Sequence, residues 1–65
     1  MKTIGFIGCG NMGGALARAA VKSVGAENIF VYDIDSQKAK EFSEATDVNV
    51  VDAEYIILNC DYIFL

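Results

Sequence analysis

The chain has 65 residues, 54% of them hydrophobic, with no proline and no histidine, and five basic against nine acidic side chains leave it a net charge of −4. One domain at most fits that length, and it buries only about 60% of the surface its unfolded form exposes. The apolar content excludes disorder, and the charge sets it against nucleic acid and anionic membrane surfaces as partners.

Two cysteines, Cys9 and Cys60, are the only thiols, and without histidine no spacing reads as a metal site. Both read as small apolar fillers in a reduced, cytoplasmic setting. The uncharged run from Thr3 to Ala17 is broken by five of the six glycines. It is also shorter than the ~20 residues a membrane span requires.

In chain order, Lys2 to Ile7 reads as a strand with apolar side chains on both faces, as in the centre of a parallel sheet. Next comes Gly8-Cys9-Gly10-Asn11-Met12-Gly13, a G-x-G-x-x-G turn that opens a helix expected from about Asn11 to Val24. Gly8 permits the tight turn, Gly10 lets the backbone approach a pyrophosphate, and Gly13 lets the helix settle near the strand. The N–H groups at Asn11, Met12 and Gly13, at the positive end of the helix, form an anion site made of backbone. Met12, Ala15, Leu16, Ala19 and Ala20 are expected to form the buried stripe of this helix, with Arg18 and Lys22 facing out and Gly25 as its left-handed C-cap.

Asn28 to Tyr32 reads as the second strand. Asp33 ends it, about twenty-five residues after Gly8, where the carboxylate of a dinucleotide fold meets the ribose. Asp35 or Ser36 caps a second helix from about Gln37 to Ala45, with Ala39 and Phe42 inward and Lys40 and Glu44 paired on the wet side. Val48 to Val51 makes a brief third strand, Asp52 caps a short helix from Ala53 to about Asn59, and Asp61 to Leu65 begins a fourth strand. The expected fold is therefore α/β: a partial Rossmann fold, a doubly wound parallel sheet of about four strands in the order 3-2-1-4 that breaks off after the fourth. Residues 1–65 read as the N-terminal half of a dinucleotide-binding domain. The fourth strand is left as an apolar edge open to self-association.

The residues Ile4-Gly5-Phe6-Ile7-Gly8-Cys9-Gly10-Asn11-Met12, followed by Ala15-Leu16, closely resemble the start of pyrroline-5-carboxylate reductases, where "IGFIG-x-GNM" and a nearby "A-L" are typical. The likeness spans the chain in weaker form, through Asn28 to Asp33 and Asp61 to Leu65. β-Hydroxyacid dehydrogenases carry "GLG-x-MG" at the same turn, and Asn11 favours the reductase. The resemblance implies NAD(P)H as cofactor and hydride transfer to the C=N carbon of 1-pyrroline-5-carboxylate, giving proline. It also implies a second, helical domain for substrate and dimerisation that these residues do not contain. The chain alone is expected to bind cofactor without turnover, and no residue stands out as catalytic.

Two departures from the family pattern carry expectations. Where many relatives read "D-R-S", this chain reads Asp33-Ile34-Asp35, so the cation for a 2′-phosphate is missing and NADH is favoured over NADPH. Ala53 stands where the family often has an asparagine near the adenosine. A reading from another class is a non-catalytic module that senses a dinucleotide and regulates a partner, since fold alone does not separate it from an enzyme part. A third is a remnant that folds poorly and binds nothing.

Overall fold

The computed structural model describes residues 2–8 and 11–65, with side chains in the first helix from residue 15 onward. The strands are β1 (Ile4–Ile7), β2 (Ile29–Tyr32), β3 (Asn49–Val50) and β4 (Tyr62–Phe64), and the helices α1 (Asn11–Val24), α2 (Ser36–Thr46) and α3 (Ala53–Asn59). They form one parallel sheet in the order β3-β2-β1-β4. This is the α/β, partial Rossmann arrangement the sequence predicts, each strand joined to the next through a helix.

The strands are shorter than expected because their ends are used otherwise. Thr3 lies outside β1 in a clasp with the start of β4: its carbonyl accepts from the Asp61 and Tyr62 N–H groups at 3.0 and 3.1 Å, and its own N–H donates to Asp61 Oδ2 at 2.9 Å. A 3₁₀ turn at Ala26–Asn28, unforeseen in the sequence, precedes β2. Gly25 has the positive φ of 90° expected of it, but its ψ of 145° is extended rather than left-handed helical.

Both caps predicted for the later helices are present. Asp35 Oδ1 accepts from Gln37 and Lys38 N–H at the start of α2, and Asp52 Oδ1 accepts from Tyr55 N–H at the start of α3. Asp47 closes α2 in the left-handed conformation at φ 64°, one that short polar side chains tolerate. On the wet side of α2 the pair that forms is Gln37 to Glu41, one turn apart at 3.1 Å.

Strand alternation sends Phe6 of β1 and Ile29 and Val31 of β2 to one face of the sheet, where they pack with Ala17, Ala39, Phe42 and Val48 into a single core. Gly5 turns to the opposite face, towards Ile56 and Cys60. Helices α1 and α2 thus cover one face and α3 the other.

The buried stripe of α1 is rotated from its expected position. Ala17 is fully buried, with Ala20, Val21 and Val24 packed behind it, whereas Ala15 and Ala19 are exposed and Leu16 is 53% exposed. Periodicity alone admits both stripes, because alanines and valines are spread around the helix. The choice falls to the aliphatic pair Val21 and Val24, which bury more surface than Ala15 and Ala19. Arg18 does face outwards, its guanidinium lying 5.2 Å from the Phe42 ring centre and screening it from water.

Candidate functional site

In a doubly wound sheet the ligand crevice lies beyond the carboxyl ends of the strands where their order reverses, here between β1 and β4. The register pairs Ile7 with Tyr32, so Gly8 and Asp33, the next residue on each strand, emerge side by side at that edge. The Gly8 N–H donates to the Tyr32 carbonyl at 2.7 Å, which fixes the start of the turn against the end of β2.

Gly8 has a φ of 92°, a conformation that side chains rarely adopt, and a methyl group built on it would meet no atom within 4 Å. Gly8 is thus exposed, with open space where a side chain would stand. Asn11, Met12 and Gly13 form the first turn of α1, the position their N–H groups need to face an anion. Cys9 and Gly10, expected to line the same site, lie outside the described residues.

Asp33 is half-buried, and its Oδ1 accepts the Asp35 N–H at 2.9 Å. That bond closes a turn through Asp33-Ile34-Asp35 just past the carboxyl end of β2. Asp35 is committed elsewhere, as the cap of α2. Of the two carboxylates noted in the sequence, the structure thus makes Asp35 a helix cap and places Asp33 just past the end of β2, beside Gly8. Ala53 begins α3.

The bond from Gly8 to the Tyr32 carbonyl is a feature of the candidate site that the sequence did not reveal, because it depends on the pairing register of two strands. A groove of about 470 Å³, lined by Arg18, Val21, Lys22, Ala45, Thr46 and Asp47, opens between the C-terminal halves of α1 and α2. It lies at the far end of these helices from Gly8 and Asp33. Among the described residues no three His, Cys, Asp or Glu side chains gather as metal ligands, and no helix is long and apolar enough to cross a membrane.

The glycine turn, the helix start behind it and the acidic residue ending β2 are the parts a dinucleotide fold requires. Residues 3–65 match the model of the family described as NADP oxidoreductase, coenzyme F420-dependent. The chain belongs to that family. It is therefore a dinucleotide-binding unit of the oxidoreductase class, with a nicotinamide dinucleotide as the family's cofactor. No curated protein and no solved structure matches it.

Proposed function

We propose that this chain holds the reduced nicotinamide dinucleotide of a pyrroline-5-carboxylate reductase-like enzyme. The diphosphate lies against the turn and helix start from Gly8 through Cys9, Gly10, Asn11 and Met12 to Gly13, and the adenosine ribose lies against Asp33. The observation that carries this reading is Gly8 itself, exposed, at positive φ and hydrogen-bonded to the end of β2, three residues before α1 begins. The residues that resemble the reductase, Ile4 to Met12, build that turn, and the matched family takes in the N-terminal part of such reductases.

The bound cofactor supplies a hydride. The chain's own residues bind and orient it: backbone N–H groups neutralise the diphosphate, and the Asp33 carboxylate accepts from the ribose hydroxyls. No catalytic residue is assigned, and the chain on its own is predicted to show no proline-forming rate.

NADH is the preferred form. A 2′-phosphate would sit against Asp33, and the position next to it holds Ile34 instead of a cation. Titration calorimetry is expected to show NADH binding roughly tenfold tighter than NADPH, a difference of about 1.4 kcal/mol. Tighter NADPH binding would overturn the preference. Failure of either nucleotide to raise the unfolding midpoint at high concentration would overturn the cofactor assignment, since ligand at 100 times its Kd adds about 2.7 kcal/mol to a site present only in the folded state.

The reading also has copies of the chain associating through β4, whose Tyr62, Ile63 and Phe64 are 51%, 40% and 45% exposed. Ile63→Lys, on the edge strand, is expected to abolish concentration-dependent association in sedimentation experiments. Equal sedimentation of Ile63→Lys and the parent chain at high concentration would place any association elsewhere.

A further inference from the structure

Arg18 and Lys22 stand one helical turn apart on α1 and line a single groove, whose other wall is the end of α2 with Ala45, Thr46 and Asp47. At about 470 Å³ the groove has the size of a small-molecule site. Exposed charges that stand singly in water need no partner. Here charges of both signs face one hollow, and the fold makes little use of either.

The two walls are prepared differently. On α1 the Arg18 guanidinium lies 5.2 Å from the centre of the buried Phe42 ring, a contact that steadies the side chain against α2 and leaves its N–H groups without a carboxylate. On α2 Asp47 takes the left-handed conformation, at φ 64°, where glycine is the usual residue. Closure of the helix there is made by backbone, since the Asp47 N–H donates to the Ser43 carbonyl at 2.7 Å. Asp35 and Asp52 cap their helices through their carboxylates, whereas the Asp47 carboxylate caps nothing. Among the described residues none of Arg18, Lys22 and Asp47 belongs to an ion pair, so the groove is positive along α1 and negative at the end of α2. Partial negative charge at the α2 C-terminus reinforces the second wall. Val21 and Ala45 add apolar surface, one from each helix.

From this bipolar groove we infer a second small-molecule site, for a zwitterion whose anionic and ammonium ends are joined by a short apolar body, as in an amino acid with its two charges several carbons apart. The anionic end meets Arg18 and Lys22, the ammonium end meets Asp47, and the methylenes lie against Val21 and Ala45. A ligand of one sign is opposed by one wall: an anion by Asp47 and the helix end, a cation by Arg18 and Lys22. The site does not depend on the cofactor reading, because it occupies the opposite ends of α1 and α2 from Gly8 and Asp33.

Three probes of similar length test this on the parent chain by NMR titration at low salt: 6-aminohexanoate, which carries both charges, hexanoate and hexylammonium. 6-Aminohexanoate is expected to shift the Val21, Lys22, Thr46 and Asp47 amides saturably and to bind about threefold tighter than either single-charge probe, the effect of one exposed ion pair. In Asp47→Asn its advantage over hexanoate is expected to disappear with the unfolding midpoint retained, because asparagine also tolerates the left-handed conformation. In Lys22→Glu, which cancels the Arg18 charge, it is expected to bind no better than hexylammonium. Absence of shifts at these amides, or binding of hexanoate or hexylammonium by the parent chain as tightly as 6-aminohexanoate, overturns the zwitterion site. Loss of the shifts on adding NADH also overturns it, by placing the probe in the nucleotide site.

Discussion

The two faces of the sheet are built on different terms. Under α1 and α2, Phe6, Ile29, Val31, Phe42 and Val48 interlock with Ala17 and Ala39, all at most 8% exposed. Under α3, Ile56 is the buried residue the helix supplies, and it sits over a glycine. Large exposed apolar side chains gather on that helix, where Ile57 and Leu58 are 61% and 72% exposed, and β4, at the edge of the sheet, is exposed throughout even though its Phe64 stacks on Phe6 on the α1/α2 side. One face holds the fold by volume. The other holds it by close approach and by the clasp between Thr3 and Asp61. Most of the folding free energy therefore resides on the α1/α2 face, while the β4 side is the first to open.

Phe6→Ala is the harshest test of that division. Removing a buried phenylalanine costs about 3–5 kcal/mol, and a core in a chain of this size supplies only about 3–5 kcal/mol in total. The variant is expected to lose its cooperative urea transition altogether. A transition retained at the parent midpoint would show that the stability lies elsewhere.

Gly5→Ala probes the opposite face. The added methyl would run into Ile56 Cγ2 and come within 3.0 Å of Cys60 Sγ, so α3 must lift from the sheet. Overpacking of this kind costs about 1–3 kcal/mol, less than the loss of Phe6. Amide exchange is expected to quicken through α3 and β4 while β2 and α2 keep their protection. Uniform loss of protection across both faces would mean that they unfold as one unit and that the contrast is one of packing alone.

The same contrast accounts for what could be read from the sequence. Alternation of strand and helix patterns, with Asp35 and Asp52 as caps, was enough for the element order and the 3-2-1-4 topology. Ala39 and Phe42 were identifiable as inward because α2 is polar elsewhere. Residues in α1 were harder to orient, since a helix of alanines looks apolar on several sides and only the neighbouring strands decide which side is covered. Gly8 and Asp33 were picked out by spacing as candidate site residues. Their adjacency and the bond from Gly8 to Tyr32 depend on the strand register, which a sequence pattern does not contain. Neither the anchoring of Asp33 by the Asp35 N–H nor the outward projection of Ile34 had a sequence signal of its own.

The gentlest way to open the weaker face is with acid. Asp61 Oδ2 accepts from the Thr3 N–H and, at 3.2 Å, from the Thr3 hydroxyl, which itself accepts from the Asp61 N–H at 3.1 Å. The Thr3 backbone hydrogen bond, then the Thr3 side chain, and the nearby Lys2 charge hold this carboxyl below its ordinary range. A carboxyl depressed in the folded state contributes stability above its unfolded pKa, and that contribution is lost as pH falls through the folded value. Acidification is thus expected to release the start of β4 from β1 before it disturbs the α1/α2 core, where among the described residues no polar or charged side chain is buried. Because Asp61 is exposed to water, the effect is local and does not register in global stability at neutral pH. It is visible as an acid-range shift of the Thr3 amide resonance, which should vanish in Asp61→Asn while the Val31 amide stays constant in both proteins. If the Thr3 shift survives the substitution, the titrating group is not Asp61, and the seam between β1 and β4 is held by backbone hydrogen bonds alone.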